Sequence, residues 1–92
     1  MRDHPPVNVR LVYLARLREA FASPGESLVL TDSAESTVAT LLDALRSRGG
    51  AFAVELGGGR AVRIAINHAV AKLEDVVHDG DEVALFPPVT GG

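Results

Sequence analysis

Cysteine is absent from all 92 residues. That absence excludes disulfides, thiolate nucleophiles, cysteine persulfides and cysteine-based metal sites. A basic excess is missing too. Formal net charge is −3 and the arginines are scattered rather than striped, so there is no electrostatic footprint for nucleic acid. An acidic balance suits a partner with a basic docking face instead. No apolar run approaches the roughly 20 residues that span a bilayer. Met1–Pro6 also lacks the apolar region of a secretory signal. The expectation is a cytoplasmic chain with no membrane and no nucleic acid among its partners.

Motifs for self-contained catalysis are equally scarce. Gly57-Gly58-Gly59 lacks the GxxxxGK[ST] spacing of a phosphate loop and is followed by a strand pattern rather than a helix. No nucleophile-elbow motif accompanies the serines and histidines. His4, His68 and His78 are too dispersed to hold a metal. Asp79, Asp81 and Glu82 lack the looped ligand spacing of a calcium site. The chain therefore reads as holding no metal and no bound cofactor.

What is present is the patterning of one small domain, a length that suits independent folding. Residues 1–6 read as a flexible lead. From Val7 the sequence alternates, with Val7, Val9, Leu11 and Tyr13 on one face and Asn8 and Arg10 on the other, which is strand periodicity. Ala15–Phe21 suits a helical turn, Ser23–Glu26 a turn, and Ser27–Leu30 a second strand that closes a hairpin. The strongest helix signal follows. Ser36 or Thr37 serves as N-cap, Val38, Leu41, Leu42 and Leu45 form one stripe, and Gly49-Gly50 stops the helix. Ala51–Leu56 extends it by a turn. Arg60–Asn67 alternates again, burying Val62, Ile64 and Ile66. Asn67-His68 is a tight turn before a short pairing segment at Ala69–Ala71. His78–Asp81 is a further turn, and Glu82–Phe86 the last strand. The order β-β-α-β-β-β lacks a βαβα repeat. It predicts an α+β fold of the β-grasp type: a mixed sheet over residues 7–86, packed on one main helix, with the final strand beside the first.

The final stretch then stands out. In Phe86-Pro87-Pro88-Val89-Thr90-Gly91-Gly92 the paired prolines lack N–H donors, so a strand cannot continue through them. Residues 87–92 form an extended tail that reaches about 20 Å at roughly 3.3–3.6 Å per residue. Glycine at Gly91 and Gly92 leaves no Cβ, so the Gly92 carboxylate fits a narrow slot in another protein. If Val83 and Leu85 point into the core, Phe86 points out beside the prolines and marks a docking patch.

With these elements in place, the chain resembles the small sulfur-carrier subunit of molybdopterin synthase, within the ubiquitin-like β-grasp sulfur carriers. The resemblance covers about Val9 to Gly92. Its most specific part is Asp79-Gly80-Asp81-Glu82-Val83-Ala84-Leu85-Phe86-Pro87-Pro88-Val89-Thr90-Gly91-Gly92. Ile66-Asn67, Ala15–Glu19 and Thr37-Val38 fit as well. The residues before Val7 and the Gly57–Gly59 loop depart from the pattern. The resemblance implies a cycle at Gly92. An activating enzyme uses ATP to adenylate the carboxylate, a sulfur donor protein converts the adenylate to a thiocarboxylate, and the tail inserts into the large synthase subunit of a heterotetramer to sulfurate a pterin precursor. Gly91, Thr90, Val89, Pro88 and Pro87 form the inserting tail, Phe86 belongs to the partner interface, and the chain alone is not an enzyme. Two alternatives use the same carboxylate: a ubiquitin-like modifier joined to lysines, or a sulfur carrier for thiamin or tRNA thiolation.

Overall fold

The first strand carries the alternation that the sequence predicts. In the computed structural model, which describes residues 6–31, 36–59 and 61–88, Val9, Leu11 and Tyr13 of β1 (Val7–Tyr13) are buried while Asn8 and Arg10 are exposed. Its hairpin partner β2 (Gly25–Leu30) runs antiparallel, from Val7 opposite Leu30 to Val12 opposite Gly25. A Cβ at Gly25 would strike the Leu11 carbonyl oxygen, so the hairpin closes only with glycine there. Between these strands α1 (Arg16–Ala20) buries Leu17.

The main helix α2 (Val38–Arg46) buries the predicted stripe of Val38, Leu41, Leu42 and Leu45. Thr37 is its N-cap. The Thr37 hydroxyl accepts from Thr40 N–H, and the Thr40 hydroxyl accepts from Thr37 N–H at 2.7 Å. Two first-turn donors that no side chain reaches, those of Val38 and Ala39, bond the carbonyls of Asp75 and Leu73. Gly49, at φ 77°, turns the chain into α3 (Gly50–Leu56), a separate seven-residue helix rather than one added turn. Arg46 accounts for its C-terminal end by donating to the Leu56 carbonyl at 2.7 Å.

The remaining strands are β3 (Arg63–Ile66), β4 (Ala69–Ala71) and β5 (Glu82–Phe86), and the sheet order is β2-β1-β5-β3-β4. β5 is the central strand. It pairs parallel with β1, from Arg10–Glu82 to Tyr13–Leu85, and antiparallel with β3, from Arg63–Phe86 to Ile66–Val83. β3 starts at Arg63 rather than at Arg60, as the alternation alone suggests, and Val62 merely packs against the core. The reason lies on β5. Phe86 is the partner of Arg63, and Pro87 beyond it has no N–H with which to extend the ladder. This mixed sheet with its helices on one face is the β-grasp arrangement, and Val83, Leu85, Leu11, Ile64 and Leu45 meet in a single core. Among the described residues, no helix is long and apolar enough to cross a membrane.

Candidate functional site at the base of the tail

Both neighbours of β5 hold it up to its last residue. Leu14 N–H donates to the Leu85 carbonyl at 3.1 Å, one step past the end of β1, while Arg63 pairs with Phe86 from the other side. At the other end of the strand, Asn67 accepts from Glu82 N–H through its side-chain oxygen at 3.0 Å and donates to Asp81 at 2.9 Å. Gly80 N–H bonds the Asn8 carbonyl at 2.8 Å. The tail thus leaves from a strand whose position is set on both sides and at its start.

Val83 and Leu85 are fully buried toward the helices, so Phe86 lies on the opposite, outer face and is half-buried there. The chain has four aromatic rings. Three of them meet beneath the sheet, where Phe21 stacks on Phe52 at 4.1 Å and meets Tyr13 edge-on at 4.8 Å. Phe86 stands apart from that cluster. The strand registers place other apolar residues on its face: Val12, Ala84, Ala65 and Val70 form a row straight across the sheet. Leu14, 42% exposed, stands beside the end of β5, and Val70 is 69% exposed. The sequence reading named only Phe86 here. The signal for the rest was one apolar outward-facing residue on each of four strands, and it becomes readable once the registers are known. Pro87 and Pro88 are half-buried at the edge of this patch. Val89, Thr90, Gly91 and Gly92, where the sequence leads one to expect carboxylate chemistry, lie outside the described residues, as does His4.

The helical side of the same end is tied by ion pairs. Arg16 donates to Glu55 at 3.0 Å, and Arg48 donates to both oxygens of Glu26 at 2.8 and 3.0 Å. The Arg48 hydrogen bond is the chief reason that Glu26 titrates below the usual carboxylate range. Buried Tyr13 donates to the same carboxylate at 2.6 Å, and burial first, then Glu26, pushes its hydroxyl well above the ordinary 10.0. Arg48 also stacks over Phe52 at 4.8 Å. A depression of about 370 Å³ lies along Arg10–Val12 and Pro24–Ser27, and Glu26 in it is already engaged by Arg48. Among the described residues, no group of three or more His, Asp or Glu side chains is placed to hold a metal ion. His68 and His78 sit in turns, and the acidic Asp81 caps its own turn by accepting from His78 N–H at 2.8 Å. What the described residues offer at this end is an exposed apolar face beside Pro87 and Pro88.

The profile of the ThiS family matches residues 11–92. The chain belongs to the ThiS family. A curated relative, the molybdopterin synthase sulfur carrier subunit of Haemophilus influenzae, is 32% identical over 84 residues, covering 91% of this ThiS-family chain and 99% of the relative. Among solved structures, the putative molybdopterin converting factor subunit 1 of Pyrococcus furiosus superposes with a TM-score of 0.73 at 32% identity, over 90% of this chain and 99% of its own. SAMP1 of Haloferax volcanii gives a TM-score of 0.70 at 29% identity over 92% of this chain and 99% of its own. Subunit 1 of the Helicobacter pylori molybdopterin-converting factor, solved in complex with subunit 2, shares the fold at a TM-score of 0.62 and 23% identity, over 94% of this chain and 100% of that one.

Proposed function

We propose that this chain is the sulfur carrier subunit of a molybdopterin synthase, delivering sulfur to a pterin precursor on the carboxylate of Gly92. The observation that carries the reading is the central position of β5, clamped by β1 and β3 and followed at once by Pro87-Pro88. A rigid strand feeding a stiff spacer delivers a terminus over a set distance, which is what insertion into another protein's active site requires. Near-full-length likeness to sulfur carrier subunits supports the choice of chemistry.

The chemistry follows from the carboxylate. At neutral pH an α-carboxyl, with a pKa of about 3.3–3.7, is ionised and attacks the α-phosphorus of ATP on an activating enzyme. Pyrophosphate leaves and an acyl-adenylate forms. Sulfide delivered by a sulfur donor protein then attacks the acyl carbon, AMP leaves, and a thiocarboxylate remains. Phosphate neutralisation belongs to the activating enzyme, since this chain has no Walker motif. The tail of Val89, Thr90, Gly91 and Gly92 next enters the large synthase subunit, with the Phe86 face docked outside. ATP fits as a cosubstrate of the partner, and the cytoplasm as the compartment. The likeness to SAMP1 favours one second use of the same carboxylate, attachment to lysines of other proteins.

Removing or extending Gly92 tests this. Deletion shortens the tail by roughly 3.5 Å, where a displacement of about 1 Å already costs about a hundredfold in rate. Appending one residue puts a peptide bond where the carboxylate must react. Both variants should keep the wild-type unfolding temperature and lose ATP-dependent thiocarboxylate formation, read by intact mass spectrometry. Normal turnover by the extended chain, with its extra residue still attached, would sink the carrier mechanism. Branched Gly-Gly remnants on other proteins, without a thiocarboxylate, would point to the modifier.

A further inference from the structure

Two cations stand beside the root of the tail in a chain whose net charge is negative. Net charge is −3, yet the strand position directly opposite Phe86 is Arg63. On the next strand Ala71 pairs with Ile64, so Lys72, one residue further on, falls level with Arg63. Both cations are exposed, and neither side chain has a hydrogen-bond or ion-pair partner among the described residues. Three arginines on the helical side behave differently, although exposed Arg18 of α1, like Arg10 of β1, also makes no such pair among the described residues. Arg16 is paired with Glu55, Arg46 with Asp43 and Arg48 with Glu26. Those cations hold the fold together. Arg63 and Lys72 make no such pair. Asp79, Asp81 and Glu82 lie at the other end of β5, where Glu82 faces Arg10 across the parallel pair, whereas Glu74 and Asp75 follow Lys72 in the next turn, where the Asp75 carboxylate accepts from Lys72 N–H at 2.9 Å.

We infer that Arg63 and Lys72 select the partner, and that the surface receiving Phe86 carries carboxylates opposite them. This rests on the carrier reading above. An anion attached at Gly92, such as the adenylate phosphate, is not what they contact. Six residues separate Phe86 from that carboxylate, about 20 Å when extended. The anion must belong to the surface against which the base of the tail rests. Arginine suits it, since a guanidinium grips a carboxylate through two parallel N–H donors. The site is an apolar row, Val12-Ala84-Ala65-Val70, edged at the Phe86 level by two cations. It fits an apolar strip edged by Asp or Glu, and it rejects a partner that is basic there.

Stopped-flow association of the full chain with the recombinant large synthase subunit of the same genome tests the inference. Rim charges act mainly on association rate and salt dependence. Arg63→Glu and Lys72→Glu should each slow association by about tenfold at low salt, with the difference closing near 1 M salt, where the Debye length falls to about 3 Å. Ala51→Glu/Ala53→Glu makes the same net-charge change as Arg63→Glu on exposed positions of α3 and should leave the rate within about twofold of wild type. Unfolding temperatures are read alongside, and Lys72→Glu, outside the strands, keeps the test intact if Arg63→Glu destabilises the sheet. Wild-type rates and salt slopes in both single variants would overturn the inference and leave the carrier reading standing. Equal slowing by the α3 control would also overturn it, because net charge alone would then explain the effect. If the wild-type chain does not bind the large subunit, the inference and the reading on which it rests both fall.

Discussion

Leu85 and Phe86 are consecutive residues with separate work. Leu85 is fully buried against the helices, while Phe86 lies half-buried on the outer face beside Leu14. Their truncations should therefore fail in different assays. Leu85→Ala removes a well-packed core side chain and should destabilise the domain by about 2–5 kcal/mol. That is a large share of the roughly 5–15 kcal/mol that holds a domain of this size folded. Phe86→Ala removes an aromatic anchor from a docking face, where such residues typically contribute about 2 kcal/mol or more to binding. The second variant should keep its circular dichroism spectrum and lose affinity for the large subunit in calorimetric titration. Unfolding of Phe86→Ala would mean that the ring is part of the core.

At the scale of elements, the turn between β3 and β4 sets the register of the strand that carries the tail. Asn67 and His68 hold positive φ, 49° and 75°, as a two-residue hairpin turn requires. The Asn67 side chain then reaches across to β5, bonding Glu82 N–H and the Asp81 carboxylate, while Asn67 N–H bonds the Glu82 carbonyl at 2.8 Å. Asn67→Ala loses both side-chain bonds and puts alanine in a left-handed conformation, a combined cost of about 2 kcal/mol. Urea unfolding measures that loss. Because a one-residue slip reverses every side chain of β5, the variant should also show weakened amide protection at Val83 and Leu85. Unchanged exchange there would mean that the register is held elsewhere.

The molecule as a whole is closed at the tail end by the Tyr13–Glu26–Arg48 network, which joins β1, β2 and the residues after α2. Its pH behaviour follows from two opposite shifts. Glu26 titrates lower in the folded chain than its ordinary 4.5, chiefly through Arg48. Its contribution is therefore fully present above the unfolded value and is lost as pH falls through the folded one. Tyr13 titrates above its ordinary 10.0, chiefly through burial. Its neutral form is favoured, so stability also declines as pH rises past 10.0 toward the folded value. Glu26→Gln should lower the urea midpoint at pH 7 by an amount equivalent to about 1 kcal/mol, since the pair is partly exposed. The gap to wild type should shrink as the pH falls below about 4. A gap that persists at low pH would show that Glu26 acts by shape rather than by charge.

Period-two alternation placed Val9, Leu11, Tyr13 and Ile64 inside, and the 3.6-residue stripe of α2 selected Val38, Leu41, Leu42 and Leu45. Those patterns are local, so the sequence by itself determined the five strands, the main helix and its inner stripe, and the Pro-Pro break after β5, but not that α3 is a separate helix or that β2 begins at Gly25. What it left open depends on which strand lies beside which. The start of β3 moved to Arg63 because its ladder partner is Phe86, and a proline stands next. Tyr13, Glu26 and Arg48 are spread over 35 positions of chain, and only the hairpin and the end of α2 bring them within hydrogen-bond distance. The outer row of Val12, Ala84, Ala65 and Val70 needs three strand registers at once. So does the cationic end of that face. A net charge of −3 says nothing of where each sign sits, and pairing β3 and β4 beside β5 is what sets Arg63 and Lys72 at the root of the tail.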